Sequence, residues 1–251
     1  MTFQLTEPIL LIGLGGVGVS LAEKAKKSLN SDCLMISHDQ KDLTAENSIK
    51  ISTKSVVNPS THLIRGSTLE TSDEIKKNIA NYSTVILISN LAGKAGAGIG
   101  PIVSRICKQE QKNLLSFTIM PFKFEKERIF QSGIALKRIR QDSQCTIVVD
   151  NDALLDSNPD LTQKQCYDIS NKAIDGVMHS LKSSEISEDI NILSTGKATD
   201  DIESSLKDSL RMLYEDAPPN SIKRSILYVY GGSNIPVGVL NTISNITGGT
   251  F

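Results

Sequence analysis

The stretch Ile9-Leu10-Leu11-Ile12-Gly13-Leu14-Gly15-Gly16-Val17-Gly18 decides the fold. Its four leading apolar residues do not alternate with polar ones. That is how a parallel strand reads when helices cover both of its faces. Gly13 to Gly18 then satisfies G-x-G-x-x-G, and Leu21, Ala22, Ala25 and Leu29 recur at helical spacing over 19–29. Glycine lets backbone amides approach a phosphate closely, and the helix beyond offers free N–H groups and the positive end of its dipole. Asp39 lies just past the next predicted strand, 33–36, where a dinucleotide-binding fold places its ribose contact. On these residues alone, an NAD(P)-dependent oxidoreductase built on Gly13–Gly18 and Asp39 is one reading.

Outward from this stretch the same rhythm repeats. Predicted strands at 84–88, 114–119 and 146–149 alternate with predicted helices near 100–111 and 130–140. Strand-helix repeats of this kind give an α/β fold, a mainly parallel sheet with helices on both faces. Residues 43–65, with Pro59 and scattered Ser and Thr, read as loop with room only for short strands. The longest predicted helix, 161–181, opens after Asn158-Pro159-Asp160, an N-terminal capping signal. A strand at 190–193, a helix at 200–214, a Pro218-Pro219 break, a strand at 225–230, Gly231-Gly232 and a helix at 236–243 follow. The expected organisation is a nucleotide-type domain over 1–160, a connecting helix over 161–182 and a reduced α/β remainder over 183–251.

Composition narrows the function classes. At 251 residues with 39 % hydrophobic and 22 % charged residues, the chain is a globular protein and not a disordered one. Lys and Arg total 27 against 28 Asp and Glu, a balance unsuited to non-specific nucleic-acid binding. No apolar run reaches the roughly 20 residues that span a bilayer, and Met1-Thr2-Phe3-Gln4 shows no signal-peptide pattern. Cys33, Cys107, Cys145 and Cys166 lie far apart without metal-type spacing, as reduced cytosolic thiols do. The expectation is a cytoplasmic protein with no membrane segment, no metal site and no nucleic-acid partner. His38, His62 and His179 are scattered, and none stands out as a general acid.

A second glycine-rich turn changes the weighting. After the strand 84–88 comes Asn90-Leu91-Ala92-Gly93-Lys94-Ala95-Gly96-Ala97-Gly98, followed by a predicted helix led by Gly100 and Pro101. Lys94 is followed by Ala95 at the wrong spacing for a Walker A loop. Lys94 is read either as a cation beside phosphate or as a solvated side chain. Two amide-lined turns at one edge of one parallel sheet suit a chain of two or three phosphates laid across both.

At this point the sequence resembles the FtsZ/tubulin family of GTP-binding cytoskeletal proteins, in its FtsZ branch. The segment Ala92 to Gly98 with Pro101-Ile102-Val103 resembles the family's G-G-G-T-G-[ST]-G signature. Pro121-Phe122-Lys123-Phe124-Glu125 is similar to its P-F-x-F-E, and Asn151-Asp152-Ala153-Leu154-Leu155 to its N-D-x-L-L. Cys166-Tyr167-Asp168 with Ala173-Ile174-Asp175-Gly176 resembles the start of its central helix. The resemblance implies a Rossmann-like, parallel-sheet GTP-binding domain, a central helix and a reduced C-terminal α/β domain.

By that resemblance Gly15, Gly16 and Gly18 touch the phosphates of GTP or GDP on one side, and Gly93, Gly96 and Gly98 on the other. Glu125 and Arg128 hold the ribose and a neighbouring phosphate, Asn151 and Asp168 read guanine, and Tyr167 stacks on the base or is buried. Plain alternatives stand beside these: a helix cap for Asn151, an exposed helix carboxylate for Asp168, solvated charges for Glu125 and Arg128. Mg2+ is an optional companion of the nucleotide. Ser37-His38-Asp39 stands where the family has an asparagine-bearing loop, and Arg65-Gly66-Ser67-Thr68 where it has a further, glycine-rich phosphate loop. In the family an N-x-D-x-x-D loop of one subunit completes hydrolysis at the next. The stretch from Gly176 to Ser194 holds Glu185, Glu188 and Asp189 but no such pattern. The implied protein binds guanine nucleotide, hydrolyses it weakly or not at all, has no assigned catalytic residue, and is tied to cell division or cytoskeletal assembly. It self-associates or meets a complete FtsZ-like relative. A scaffold with a decayed nucleotide site is the third reading. The sequence ends at Gly248-Gly249-Thr250-Phe251, before the strands that close the family's second domain.

Overall fold

The computed structural model describes residues 2–44, 46–54, 57–183, 186–197 and 201–218, with Ser221 and Ile226. The predicted strand 225–230, Gly231-Gly232 and the predicted helix 236–243 lie outside the described residues, apart from Ile226. The chain packs into two compact units, residues 1–149 with 178–191, and residues 150–177 with 192–251. This division runs elsewhere than at 160 and 182, because the residues that follow Val149 group with the C-terminal segment while 178–191 return to the first unit.

The first unit is built on a seven-stranded sheet in the order β4-β3-β2-β5-β6-β7-β9. Its strands are β2 (Ile9–Leu14), β3 (Asp32–Ser37), β4 (Ser48–Lys50), β5 (Thr84–Asn90), β6 (Asn113–Met120), β7 (Cys145–Asp150) and β9 (Asp189–Ile192). The pairs from β4 through β6 are parallel. A small antiparallel pair joins β1 (Thr2–Phe3) to β8 (Ile186–Ser187). The helices are α1 (Gly15–Leu29), α2 (Thr61–Glu70), α3 (Ser72–Ile79), α4 (Lys94–Gln109) and α5 (Lys126–Asp142).

Both faces of the sheet are buried, which is why its strands read as unbroken apolar runs. Leu10, Ile12, Leu14, Leu34, Ile36, Val85 and Leu87 pack with Ile64 of α2, Ile75 and Ile79 of α3, and Ile99, Ile102, Val103 and Ile106 of α4. The alternate residues Leu11, Ile86 and Ile88 are equally buried. α1 lies against β2, β3 and β5. The strand order reverses between β2 and β5: β2, β3 and β4 run outward one way, β5, β6 and β7 the other. A doubly wound sheet opens a crevice at such a reversal, at the carboxyl ends of the strands.

Three expectations need correction. Residues 43–65 were expected as loop with room only for short strands, and β4 is such a strand, but the segment also holds the start of α2, and α3 follows it. Ser60 caps α2 by accepting from the Leu63 N–H at 3.3 Å, and Ile64, Thr68, Ile75 and Ile79 face the core, so burial overrides weak helix propensity. Arg65-Gly66-Ser67-Thr68 therefore lies inside α2 and is not a phosphate loop. Helix α4 begins at Lys94 and holds Pro101 in its interior, not at its start. Pro101 has no N–H to give the carbonyl four residues back, that of Ala97. The Arg65 guanidinium donates to that carbonyl from α2 at 3.3 Å, which fills the gap.

The second unit, taken by itself, contains α6 (Asn151–Ser157), most of α7 (Gln163–Ser180) and α8 (Ile202–Asp216). The central and C-terminal helices thus match the predicted 161–181 and 200–214 within two residues at each end. α6 packs against α8, and Arg211 donates to the Ser157 carbonyl at 3.4 Å. Among the described residues no helix is long and apolar enough to cross a membrane.

Candidate functional site

β2 and β5 are hydrogen-bonded neighbours, with Leu14 opposite Ser89, and each hands its chain to a helix at the same edge. Neither helix is capped by a side chain: α1 starts at Gly15 after Leu14, and α4 at Lys94 after Gly93. Three other helices are capped. Ser60 serves α2, Asp150 serves α6 and Asp201 serves α8. The bare N–H groups of α1 and α4 sit side by side. A Cβ on Gly15 would come 2.9 Å from the Ala95 Cβ. Two helix dipoles and two sets of unclaimed donors converge on this edge, the arrangement that holds anions.

The glycines divide by what surrounds them. Gly15 has φ +65°, a backbone state that a residue with a Cβ enters at a cost. Gly16 is exposed and Gly93 half-buried at the mouth of the two turns. Gly18, Gly96 and Gly98 are buried in helical turns. A Cβ on Gly18 would strike the Ile88 carbonyl oxygen, one on Gly96 the Asn90 carbonyl oxygen, and one on Gly98 would come 2.9 Å from Ile64 Cγ2. Their surroundings give them a packing role that brings the helices down onto the sheet and onto α2. The glycine runs had suggested longer loops. Both helices in fact start earlier, because small residues allow closely packed helix as well as turn. Asn90 shapes the second turn, its Oδ1 accepting from the Ala92 N–H at 3.0 Å.

The end of β3 supplies a feature that the motifs did not reveal. Asp39 caps a 3-10 turn, Gln40–Asp42, by accepting from the Lys41 N–H at 3.0 Å. That turn swings Asp42 back, where Ser37 Oγ donates to its Oδ2 at 2.6 Å. Asp42 Oδ1 then stands 2.9 Å from where a Cβ on Gly16 would be. Lys94, the cation on the facing turn, donates instead to Asn58 Oδ1 at 2.6 Å. His38 Nδ1 is buried without a hydrogen-bond partner. Burial first, and the nearby Lys94 charge last, push the His38 pKa below its ordinary value, against the pull of Asp39 and Asp42.

Glu125 and Arg128 meet each other. Arg128 donates to Glu125 Oε1 at 2.6 Å, and Glu125 Oε2 accepts from the Phe122 N–H at 3.2 Å. The rings of Phe122 and Phe124 stack beside them at 5.1 Å. α5 is tied to the second glycine turn, since Ser132 Oγ donates to the Leu91 carbonyl at 2.7 Å.

Asn151 and Asp168 belong to the second unit. Asn151 is fully buried as the first residue of α6, and its Oδ1 accepts from Ser170 Oγ of α7 at 2.6 Å. Asp168 is exposed on α7, and Tyr167 beside it is half-buried. Asp150 caps α6 by accepting from the Asp152 N–H at 2.8 Å. Burial, with the Asp152 charge adding to it, raises the Asp150 pKa above its ordinary value. Among the described residues no three His, Cys, Asp or Glu side chains converge to hold a metal ion. All four cysteines are free and buried, and burial pushes the Cys107 thiol up to about 12.

Comparison with known proteins bears on this edge. A family model for the Tubulin/FtsZ family, GTPase domain, matches residues 8–159. Cell division protein FtsZ 2 of Halobacterium salinarum is 27 % identical over 100 residues, which are 40 % of this chain and 25 % of that protein. Cell division protein FtsZ of Haloferax mediterranei is 30 % identical over 107 residues, 42 % of this chain and 28 % of its own. The match thus spans about a quarter of these curated relatives' length. An FtsZ mutant from M. jannaschii superposes with a TM-score of 0.70 at 16 % identity, covering 97 % of this chain and 82 % of that one. An empty FtsZ dimer from the same source gives 0.65 at 19 % identity, covering 84 % and 69 %. At these identities the solved structures speak for the fold.

Proposed function

The chain belongs to the tubulin/FtsZ family, and on that premise we propose that it binds GTP or GDP across the turns that open α1 and α4. The carrying observation is the pair of uncapped helix N-termini at the point where the strand order reverses. Amides of the first turn of α1, at Gly15 and Gly16, face the phosphates from one side, and those at Lys94 and Ala95 from the other. Gly93, whose own N–H donates to the Asn90 carbonyl at 3.1 Å, opens the second turn toward them. Gly18, Gly96 and Gly98 serve the same site by letting each helix approach the sheet. Glu125 and Arg128 exchange part of their mutual pairing for ribose and phosphate. Asn151 and Asp168 recognise guanine, Asp168 with a carboxylate open to ring N–H donors and Asn151 through its side-chain amide.

Self-stimulated hydrolysis is weak or absent in this reading. After α7 the described chain makes only a 3-10 turn, Leu181–Ser183, before β8 and β9, and no N-x-D-x-x-D lies in the segment. Phosphoryl transfer depends on positioned charge and a positioned water. The role is a cytoplasmic one in cell division or cytoskeletal assembly, through self-association or through a complete FtsZ-like relative.

One test decides the binding reading. Acid release from the purified protein followed by chromatography should yield GDP or GTP, and titration should give binding for both and none for NADH. Binding of NADH alone would return the site to the oxidoreductase reading. Binding of neither favours a scaffold, the reading to which the Glu125–Arg128 pair and the diversion of Lys94 to Asn58 lend weight.

A further inference from the structure

We propose that the β9 edge of the first unit carries a binding site for a small acidic amino acid, a molecule with two carboxylates and one ammonium. None of its residues belongs to either glycine turn, so the proposal stands apart from the nucleotide reading. β9 is the last strand of the sheet, next to β7. Its start is fixed there, since the Asp189 N–H donates to the Gln144 carbonyl at 2.9 Å. Lys137, Arg140 and Gln141 of α5, Thr146 of β7, and Asp189 and Ile190 of β9 line a cavity of about 270 Å3. Pockets for drug-sized ligands run from about 300 Å3 upward, so the occupant here is smaller. Three observations point to one. First, Thr146 is only 1 % exposed, and its hydroxyl makes no hydrogen bond among the described residues. Every other buried serine or threonine side chain among them makes one. Second, Lys137 and Arg140, one helical turn apart on α5, form no ion pair or side-chain hydrogen bond among the described residues. Third, the same holds for the Asp189 carboxylate, although it borders the same cavity as the two cations.

A buried hydroxyl without a partner costs stability, and at a cavity wall an occupant can supply the partner. Opposite charges that share a small cavity without meeting leave room for a molecule that bridges them. Two cations and one carboxylate match, sign for sign, a ligand with two carboxylates and one ammonium. Lys137 and Arg140 each take a carboxylate through charge-assisted hydrogen bonds, and Asp189 accepts from the ammonium. The Thr146 hydroxyl and the Gln141 amide donate to carboxylate oxygens that remain. Ile190, 42 % exposed, covers the ligand's methylene groups and loses apolar surface to them.

The test follows backbone amide shifts of the full chain by proton–nitrogen correlation NMR as L-glutamate is added at constant ionic strength. Amides of the cavity residues should shift and saturate with a Kd of about 1 mM or below. Glutarate, which lacks the ammonium, and 4-aminobutyrate, which lacks one carboxylate, should each bind about tenfold more weakly. Asp189→Asn suits the φ of +75° at that residue. It should weaken glutamate about tenfold and spare glutarate. Thr146→Val keeps the shape and removes the hydroxyl. It should weaken glutamate about fivefold with a thermal midpoint at or above that of the wild type, since no internal hydrogen bond is lost. A lowered midpoint would show the hydroxyl to be structural and overturn its role as a ligand contact. Glutarate binding as tightly as glutamate would overturn the amino-acid assignment on the wild-type chain alone, whether or not a variant folds. No saturable shift at the cavity up to about 10 mM glutamate would overturn the site itself.

Discussion

α1 and α4 start bare, whereas α2, α6 and α8 start on a side-chain cap. The sequence can supply caps, and at Ser60, Asp150 and Asp201 it does. A cap is worth about 1 kcal/mol, so a helix that forgoes one keeps its N–H groups for another acceptor. α3 and α5 also start without a side-chain cap, but among these helices it is α1 and α4 that follow adjacent strands at the reversal of the sheet. The contrast separates residues that hold the fold from those that leave a site open, and substitutions on either side of it should behave differently.

The largest effect belongs to glycines of the packing kind. Gly18→Ala drives a methyl group into the Ile88 carbonyl, and Gly96→Ala into that of Asn90. Backbone cannot move aside as a side chain can. Each should cost about 3 kcal/mol or more in urea unfolding, or prevent folding. Gly16→Ala meets only the tip of Asp42. It should change stability by less than about 1 kcal/mol while weakening GDP binding measured under folded conditions. Equal destabilisation by all three would erase the distinction between packing and mouth glycines.

A smaller effect sharpens the cap comparison directly. Gly93→Asp would give α4 the N-cap that it lacks, at a residue whose backbone is already extended, φ −85° and ψ 144°. Stability should rise by a few tenths of a kcal/mol, since Asp improves on Gly only modestly at this position, less any cost of the 3.3 Å approach to the Asn90 carbonyl. GDP affinity should fall about tenfold or more as the carboxylate claims the amides. Ser60→Ala removes a cap away from the glycine turns and should do the reverse, costing about 1 kcal/mol and leaving GDP affinity unchanged. Thermal unfolding and calorimetry on the pair would read both quantities.

These substitutions also mark how far the sequence could be read. The buried strands were legible because both-face burial leaves an unmistakable apolar run, as in Thr84-Val85-Ile86-Leu87-Ile88. α2 and α3 were not, since Ser, Thr and Gly66 weaken their periodicity and their core residues are widely spaced. The glycine pattern pointed to the right edge of the sheet but could not tell a glycine that packs from one that faces a ligand. That distinction depends on which backbone lies within reach, a tertiary fact. Asp42 was invisible for a related reason. Its place over Gly16 follows from a three-residue turn and from Ser37, and no motif records either. Asn151 was read as a guanine contact or a helix cap. The cap of α6 is in fact its neighbour Asp150, while Asn151 itself is bonded to Ser170.

The smallest expected effect compares one titrating group from each unit. Burial lowers the His38 pKa, so the unfolded chain binds more protons between that value and the ordinary His pKa of about 6.5. Stability of the first unit should therefore rise with pH across that window, and be lost as pH falls below about 6.5. Burial raises the Asp150 pKa, so here the folded chain binds more protons from about pH 4 upward. Stability of the second unit should fall as pH rises through that window and level off above it. Acidification below about pH 6.5 thus loosens the first unit, while acidification toward about pH 4 tightens the second. Amide hydrogen exchange resolved by segment would read the opposite slopes. His38→Asn should flatten the first slope, and Asp150→Asn, which retains the capping oxygen, the second. Parallel slopes in both units would mean that neither group governs the acid response, and the remaining carboxylates would have to account for it.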